Sequence, residues 1–331
     1  MTTPLTRTVP EDLAGLRLDQ ALARLFPDYS RSCLKHWIEA GRVAVNGETR
    51  RPRDRLGGGE TIELTPAEEI QAEDHPQDIP LDIVFEDEDL IVIDKPAGLV
   101  VHPAAGHHDG TLVNALLHHA PELAGLPRAG IVHRLDKDTT GLMVVAKSLR
   151  AHTALVAQLQ ARTVKRRYLA LVQGWVTAGG TIDAPIGRHP VDRKRFAVTP
   201  TGKAAVTHYR VAEHFPHHTL LRVYLETGRT HQIRVHMAHL RHPLVGDPQY
   251  GRLRLPPGAG EALTEALRAF RRQALHAEKL TLAHPADGRQ MSWKAPLPED
   301  FAALLATLRH EYATEADDDG DLDWEVVWPE E

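Results

Sequence analysis

The segment from Gly130 to Lys147 constrains the fold of this chain more than any other, and its sequence is GIVHRLDKDTTGLMVVAK. Apolar residues lead into a group of polar and charged side chains, and a β-type run from Leu142 to Ala146 follows them. The residues Asp-Thr-Thr-Gly at 138–141 are typical of a turn between strands. We therefore predict a loop that is held rigidly at both ends, which is a common way to present a reactive side chain.

Within this loop, His133, Arg134 and Asp136 place an imidazole, a cation and a carboxylate very close together. A purely structural turn does not require so many polar groups between apolar runs, so we predict that Asp136 takes part in chemistry. Asp138 is the structural alternative, because its side chain can bond the nearby backbone and shape the turn. An acid–base pair formed by the two carboxylates remains an alternative interpretation. The favoured interpretation is that one carboxylate is a nucleophile and the other forms the turn.

The composition is that of an ordinary soluble globular protein, with 42% hydrophobic and 25% charged residues among 331. This length favours one large domain and one smaller domain. The one cysteine, Cys33, cannot form an internal disulfide, which suits a reducing cytosol. No apolar run approaches the roughly 20 residues that span a bilayer, and the N-terminus lacks the apolar core of a signal peptide. We expect a cytoplasmic protein with no membrane association.

The net charge of −6 hides an uneven distribution. Residues 66–94 contain eleven acidic residues and no Lys or Arg, and residues 315–331 contain nine acidic residues and no Lys or Arg. Without these two segments the net charge becomes +14. A basic body of this kind is compatible with a polyanionic partner such as RNA.

Residues 16–65 form a small module of their own. Helical spacing predicts two short helices, and Asn46-Gly47 is a strong signal for a β-hairpin. Between residues 31 and 55 there are seven basic and three acidic residues; a solvated helix face is the alternative explanation. The stretch 16–64 resembles the S4 RNA-binding domain. This resemblance implies a surface that grips the RNA backbone, to which we assign Arg31, Lys35, Arg42 and Arg53.

The remaining domain boundaries follow from composition. We predict an N-terminal extension at 1–15, an acidic linker at 66–80, a large domain at 81–313 and an acidic C-terminal tail at 314–331. Trp324 and Trp328 leave two alternatives for the tail, which are disorder and docking on the body. Helices and strands are mixed, with antiparallel hairpins rather than regular β-α-β alternation, so we predict an α+β fold with a mainly antiparallel sheet.

A second group of candidate residues lies on a helix predicted from Thr230 to about residue 240. His236 and His239 stand three residues apart, but no His-Glu-x-x-His pattern or Cys partner accompanies them, so a metal site is disfavoured. Arg234 is the stronger candidate, because a cation beside Asp136 would lower the pKa of that carboxyl and aim its oxygens.

Five ordered segments resemble the motifs of the RluA-type pseudouridine synthases. They are 94–103, 133–142, 165–168, 228–236 and 273–277. The resemblance implies a pseudouridine synthase fold and an isomerase that converts uridines in RNA to pseudouridine. It also implies that Asp136 is the catalytic carboxylate and pairs with Arg234. Tyr168, which on its own would be read as an ordinary strand aromatic, would then lie at the base.

The same resemblance casts Arg134 as the residue that fills the space left by a flipped base. We assign further RNA contacts to His133, Lys165 and Arg229. The isomerisation changes no redox state and gains no group, so we expect no cofactor and no metal. The partner would be 23S rRNA or a precursor of the large ribosomal subunit, with the helix 69 stem-loop as the target and a monomeric protein. Other 23S rRNA uridines, a non-catalytic RNA-binding assembly factor and, far behind, a metal hydrolase are the alternatives.

Overall fold

The structure, a computed structural model, describes residues 4–27, 29, 31–66, 75–103 and 109–313, without the side chains of residues 31–33 and 36. The chain divides into two compact units, residues 1–73 and 74–331. The predicted acidic tail and most of the charged part of the predicted linker lie outside the described residues. Among the helices that are described, none is long and apolar enough to cross a membrane.

The N-terminal unit packs two helices against a small antiparallel sheet. Its elements are β1 (Leu5–Thr8), α1 (Leu18–Leu25), α2 (Arg31–Glu39), β2 (Val43–Val45), β3 (Glu48–Thr49) and β4 (Thr61–Leu64). The strand order is β1-β4-β2-β3. Asn46 and Gly47 have φ values of 52° and 83°, as a tight hairpin turn requires. Leu18, Leu34 and Ile62 are fully buried in the core of this unit.

Residues 5–13 belong to this unit rather than to a separate extension. Strand β1 pairs with β4 from Leu5 opposite Leu64 to Thr8 opposite Thr61, and Val9 and Leu13 are buried in the same core. The short β1 has a weak sequence signal, because three of its four residues are exposed. Pairing with a distant strand, which local sequence does not reveal, places it in the sheet.

The second unit contains the remaining regular elements. They are β5 (Ile83–Glu86), β6 (Leu90–Lys95), α3 (Leu112–His119), β7 (Thr140–Ala146), α4 (Leu149–Gln160), β8 (Lys165–Gln173), β9 (Gly180–Asp183), β10 (Ile186–Arg188), β11 (Phe196–Val198), β12 (Val206–Phe215), β13 (His218–Leu225), α5 (Gln232–His239), α6 (Glu261–Ala269), β14 (Leu275–Ala283), β15 (Gln290–Lys294) and α7 (Glu299–Glu311).

Within the described residues, nine of these strands form one sheet in the order β5-β6-β7-β14-β8-β13-β12-β9, and β15 pairs with β14. The ladders are antiparallel except between β7 and β14, where His276 stands opposite Thr140 in parallel register. This arrangement confirms the predicted α+β class with a mainly antiparallel sheet. It also brings β7, which follows the polar loop, close to β8, which carries Tyr168.

Both faces of the large sheet are covered. On one face, β6, β7, β8 and β13 pack against α3 and α5. On the other, α4 packs near β6 and β7, while α6 and α7 pack on β8 and β13. Because it has neighbours on both faces, every residue of β7 is buried. The polar loop that precedes β7 therefore ends in a fully buried strand.

The last residues of the predicted linker are part of this unit. The backbone N–H of Gln77 donates to the Asn114 carbonyl at 3.0 Å, and the Gln77 side-chain oxygen accepts from the Gly110 N–H at 2.7 Å. Ile79 packs against the core. The charge and proline content of this stretch predicts an extended segment, but it carries no signal for these contacts with α3.

Candidate active site

A cleft of about 800 Å³ opens in the second unit. Its walls come from the polar loop before β7, the first residues of β8, the end of β13 and the first turn of α5. Asp136, Tyr168 and Arg234 all line it, so the structure brings together the three predicted catalytic residues. Tyr168 follows Asp136 by 32 residues and Arg234 follows Tyr168 by 66 residues, so it is the fold of the sheet that brings them together.

The loop that carries Asp136 is fixed by buried contacts from several elements. Lys95, at the end of β6, is completely buried, and its ammonium donates to the carbonyls of Pro96, Leu99 and Lys137 at 2.7–3.0 Å. The Gln273 amide donates to the Thr139 hydroxyl at 3.0 Å. These contacts tether the polar loop at Lys137 and Thr139.

Asp136 shares one guanidinium with a second carboxylate, Asp247. Arg234 donates from Nη1 to Asp136 Oδ2 at 3.0 Å, and from Nε and Nη2 to the two oxygens of Asp247 at 2.7 and 3.0 Å. Burial alone would lower the pKa of Arg234, but the hydrogen bonds and charges of Asp247 and Asp136 raise it overall. The cation is therefore permanent, and it orients the Asp136 carboxylate.

Asp247 has no sequence motif that would have identified it. Its side chain has no solvent exposure, and its Oδ1 also accepts from the backbone N–H groups of Gln249 and Tyr250 at 2.9 and 3.0 Å. Burial would raise its pKa, but Arg234 and these N–H donors lower it overall. Asp247 thus remains ionised and holds Arg234 in place.

His231 and Tyr250 complete the surroundings of Asp136. The Tyr250 hydroxyl accepts from the Phe196 N–H at 3.0 Å and forms a hydrogen bond with His231 Nδ1 at 2.8 Å. The other ring nitrogen of His231, Nε2, lies 3.9 Å from Asp136 Oδ1. Burial lowers the pKa of His231 overall, so the ring is neutral near pH 7.

Tyr168 lies in the cleft wall on β8 and is 5% exposed. Burial is the main cause that raises the pKa of its phenol, so the hydroxyl keeps its proton at neutral pH. A protonated phenol on a buried aromatic ring can pack against a nucleobase and offer a hydrogen bond to it.

The predicted RNA-binding residues of this unit occupy different positions. Arg134, Arg229 and His133 line the cleft. The His133 ring accepts at Nε2 from the Val144 N–H at 3.1 Å, so it also attaches the loop to β7. Lys165 is not part of the cleft lining; the alternation of β8 places Arg166 and Tyr168 there instead. A run of three basic residues does not reveal which one faces the site.

The basic residues assigned to RNA contacts in the N-terminal unit lie on its surface. Lys35 is exposed and is 3.5 Å from Glu39 on the same helix, and Arg42 and Arg53 are exposed. The side chain of Arg31 lies outside the described residues. Exposure is required for an RNA contact, but their role in binding stays a prediction.

One histidine of α5, His236, is accounted for by structural contacts. The ring of His236 is fully buried and bonds Thr207 Oγ1 at 2.8 Å and the Ala184 carbonyl at 2.9 Å. Both ring nitrogens are therefore in use. In the part of the chain that the structure describes, no group of three or more His, Cys, Asp or Glu side chains could hold a metal ion.

Comparison with known families and structures places the fold. Residues 89–239 match the model described as RNA pseudouridylate synthase, and residues 16–62 match the S4 domain. The solved structure of human RNA pseudouridylate synthase domain containing 4 is similar, with a TM-score of 0.55 and 27% identity over 69% of this chain and 93% of that one. The solved structure of human RNA pseudouridylate synthase domain containing 1 is also similar, with a TM-score of 0.52 and 26% identity over 72% of this chain and 97% of that one. The fold is that of RNA pseudouridylate synthases.

Curated relatives extend the likeness to almost the whole chain. The ribosomal large subunit pseudouridine synthase D of Pseudomonas aeruginosa is 63% identical over 304 residues, 92% of this chain and 95% of that protein. The protein of the same name from Escherichia coli strain K12 is 58% identical over 97% of this chain and 98% of its own length. This chain belongs to the RNA pseudouridylate synthase family. It is an isomerase that acts on uridine in RNA.

Proposed function

We propose that this protein isomerises uridines of 23S rRNA to pseudouridine in the cytoplasm, with Asp136 as the catalytic carboxylate. The observation that carries this proposal is the Asp136–Arg234 pair of 3.0 Å inside the cleft. The relatives named ribosomal large subunit pseudouridine synthase D, which match along nearly their full length, support the choice of large-subunit rRNA. An N-terminal unit that matches the S4 domain supports a substrate of extended RNA.

In this reaction the N1–C1′ bond breaks and a C5–C1′ bond forms. In one route an oxygen of Asp136 bonds to C1′ while uracil leaves with the electron pair of the old bond. The base then turns, C5 displaces the carboxylate, and the C5 proton is lost while N1 gains one. In the other route Asp136 removes the C2′ proton as uracil leaves and later returns it. Both routes need a carboxylate that is aimed at the sugar, and the hydrogen bond from Arg234 orients Asp136.

The target uridine must leave its helical stack before Asp136 can reach it. Flipping a base costs a few kcal/mol. Arg134, which is exposed and lines the cleft, would fill the vacated space. Tyr168 would then pack against the uracil. We propose the helix 69 stem-loop of 23S rRNA as the target, which is what the sequence resemblance implies; an unstacked loop base also costs less to flip than a base inside a helix.

Replacement of Asp136 tests the catalytic assignment. We expect Asp136→Asn to abolish pseudouridine formation in rRNA of a strain that lacks the natural gene, while Asp138→Asn retains it. Modification restored by Asp136→Asn would overturn the assignment. Mapping of pseudouridine over the whole 23S rRNA, with and without the gene, tests the target. Sites outside helix 69 would contradict the choice of stem-loop but not the activity.

A further inference from the structure

Arg166 is a buried cation in the wall of the cleft. It lies on β8 two residues before Tyr168, on the same face of the strand, and is 9% exposed. Its Nε is hidden from solvent and has no hydrogen-bond partner among the described residues. Its neighbour Arg167 points to the opposite face and is paired with Glu278 at 3.0 Å. The charge of Arg167 is thus compensated by a carboxylate, whereas that of Arg166 is not compensated by any described residue.

The carboxylates that line the cleft are already paired with other groups. Asp136 is bonded by Arg234 at 3.0 Å. Glu226 is bonded by Arg162 at 2.6 Å and by His208 at 2.7 Å. A buried charge without a counterion is costly, and among the described residues no carboxylate is paired with Arg166, so an anion bound in the cleft would compensate it.

Gly228 provides the space that the Arg166 guanidinium occupies. A Cβ added at this position would lie 3.0 Å from Arg166 Nη1. The backbone of Gly228 is not in the left-handed region, so a larger residue there would be opposed by crowding of the guanidinium rather than by conformation. Gly228 itself lines the cleft, and the guanidinium therefore reaches the edge of the volume that a substrate would fill.

We propose that Arg166 binds a phosphate of the RNA next to the target uridine, which rests on the proposed function of this cleft. A uracil carbonyl would satisfy a donor but leave the charge uncompensated, whereas a phosphodiester supplies both acceptors and a full negative charge. A guanidinium matches two phosphate oxygens in bidentate geometry. Arg128, Arg134 and Arg229, which also line the cleft, favour the passage of an anionic backbone there.

Neutral phosphate analogues test this contact directly. RNA stem-loops with one methylphosphonate at each position around the target uridine would be bound to protein that carries Asp136→Asn, so that the RNA stays unchanged. We expect one linkage whose neutralisation weakens binding about tenfold or more, as for a charge-assisted hydrogen bond. Arg166→Met should weaken binding of unmodified RNA by a similar factor and lose all further sensitivity to that linkage. Arg167→Met is the matched control and should keep the sensitivity.

Two outcomes would overturn the proposal. One is a wild-type Arg166 protein that is insensitive to neutralisation of every linkage near the uridine. The other concerns Arg166→Met protein bound to RNA that carries the neutral group at the sensitive linkage. If its loss of affinity equals the product of the two separate losses, the arginine and the phosphate do not interact. These measurements report RNA binding alone, so their result does not depend on activity. A failure of the unmutated enzyme to form pseudouridine would refute the proposed function instead.

A stability measurement separates RNA binding from a structural role. Since Arg166 carries a buried charge that has no partner among the described residues, Arg166→Met should leave the melting temperature of the RNA-free protein unchanged or raise it. A clear fall in melting temperature would show a structural role and contradict the proposal. Arg166→Lys should recover part of the affinity, and Gly228→Ala should weaken RNA binding by crowding the guanidinium.

Discussion

At the scale of single residues, the site depends on how one arginine is divided between two carboxylates. Asp247 takes the Nε and Nη2 donors of Arg234 in the fully buried part of the protein, and Asp136 takes Nη1 at the cleft. The guanidinium is planar and its donors have fixed directions. The position of Asp247 therefore determines the direction from which Arg234 reaches Asp136.

Asp247→Asn tests this coupling. An amide can accept only one of the two hydrogen bonds and removes the buried one of the two counterions of Arg234, which costs about 3 kcal/mol of folding free energy. We expect kcat to fall about 10-fold to 100-fold, as misplacement of a reacting group does, with a smaller change in KM. Single-turnover rates and denaturant unfolding measure both effects. Gln249→Ala, which loses a 3.4 Å contact with Arg234 and a 2.9 Å hydrogen bond to the Lys194 carbonyl but keeps Asp247, is the control; equal loss in both variants would contradict the role of Asp247.

The carboxyl of Asp94 predicts a pH dependence of stability. Burial, aided by the charge of Asp82, raises its pKa from 3.8 to about 6. The folded protein therefore binds this proton more tightly than the unfolded chain, and its stability falls as pH rises from about 4 to about 6. Asp94→Asn should raise the free energy of unfolding at pH 7 by up to about 1 kcal/mol, a value reduced because the group is half in solvent.

Unfolding in denaturant between pH 4 and pH 7 measures this effect. The difference between Asp94→Asn and the natural protein should grow across that range and then level off. Asp87 provides a control of opposite sign: burial opposes the shift, but backbone donors and His284 lower its pKa overall. Asp87→Asn should be destabilising at pH 7. A stability difference for Asp94→Asn that does not change with pH would refute the assignment.

The sequence locates some of these residues and not others for clear physical reasons. Asp136 and Arg234 stand in motifs whose spacing is visible in the chain, and the structure brings them within 3.0 Å. Asp247 acts through a contact that exists only in three dimensions. Arg166 lies within a basic run, and its importance depends on the phase of strand alternation. Local sequence does not specify that phase when both faces of a strand are buried.

At the scale of elements, the junction of β7 with β14 explains the glycine that ends the polar loop. Gly141 has a φ of +110°, and a Cβ there would lie 2.3–2.7 Å from backbone atoms of Ala277. These residues face each other in the parallel ladder between the two strands. Only glycine allows β7 to begin this close to β14 directly after the loop of Asp136.

Gly141→Ala should therefore destabilise the protein by about 3 kcal/mol or more, since it combines overpacking of buried backbone with an unfavourable φ. Gly288→Ala is the control, because Gly288 has a φ of +74° but no atom within 4 Å of the added Cβ. It should cost only about 1 kcal/mol. Thermal unfolding of both variants measures the difference, and equal costs would show that conformation rather than close approach requires the glycine at 141.

Helix α5 shows where sequence and structure differ at this scale. Thr230 is a good candidate for its N-cap, but the helix begins at Gln232. His231 precedes it with a left-handed φ of 56°, which is uncommon for a residue other than glycine. This conformation presents the ring between Tyr250 and Asp136. The site, rather than the intrinsic preference of the sequence, thus determines where the helix begins.

At the scale of the whole molecule, the two units have separate hydrophobic cores. The residues around Asp136, Tyr168 and Arg234 that form the cleft all belong to the second unit. We therefore expect truncation to separate the chemistry from the RNA contacts that we assign to the first unit. Each phosphate contact contributes about 0.7 to 0.9 to the slope of log affinity against log salt concentration, so the loss of an RNA-binding unit is visible in that slope.

Deletion of residues 1–74 should leave a folded protein that still forms pseudouridine. We expect kcat on a short stem-loop to change less than about twofold, because no residue of the cleft is removed. The KM for long 23S rRNA fragments should rise about tenfold or more, with a shallower salt dependence, because the phosphate contacts assigned to Lys35, Arg42 and Arg53 are lost. Equal KM values for long and short RNA in the full-length protein would contradict an RNA-binding role of the N-terminal unit. A truncated protein that folds but is inactive on the stem-loop would instead show that the first unit contributes to the site.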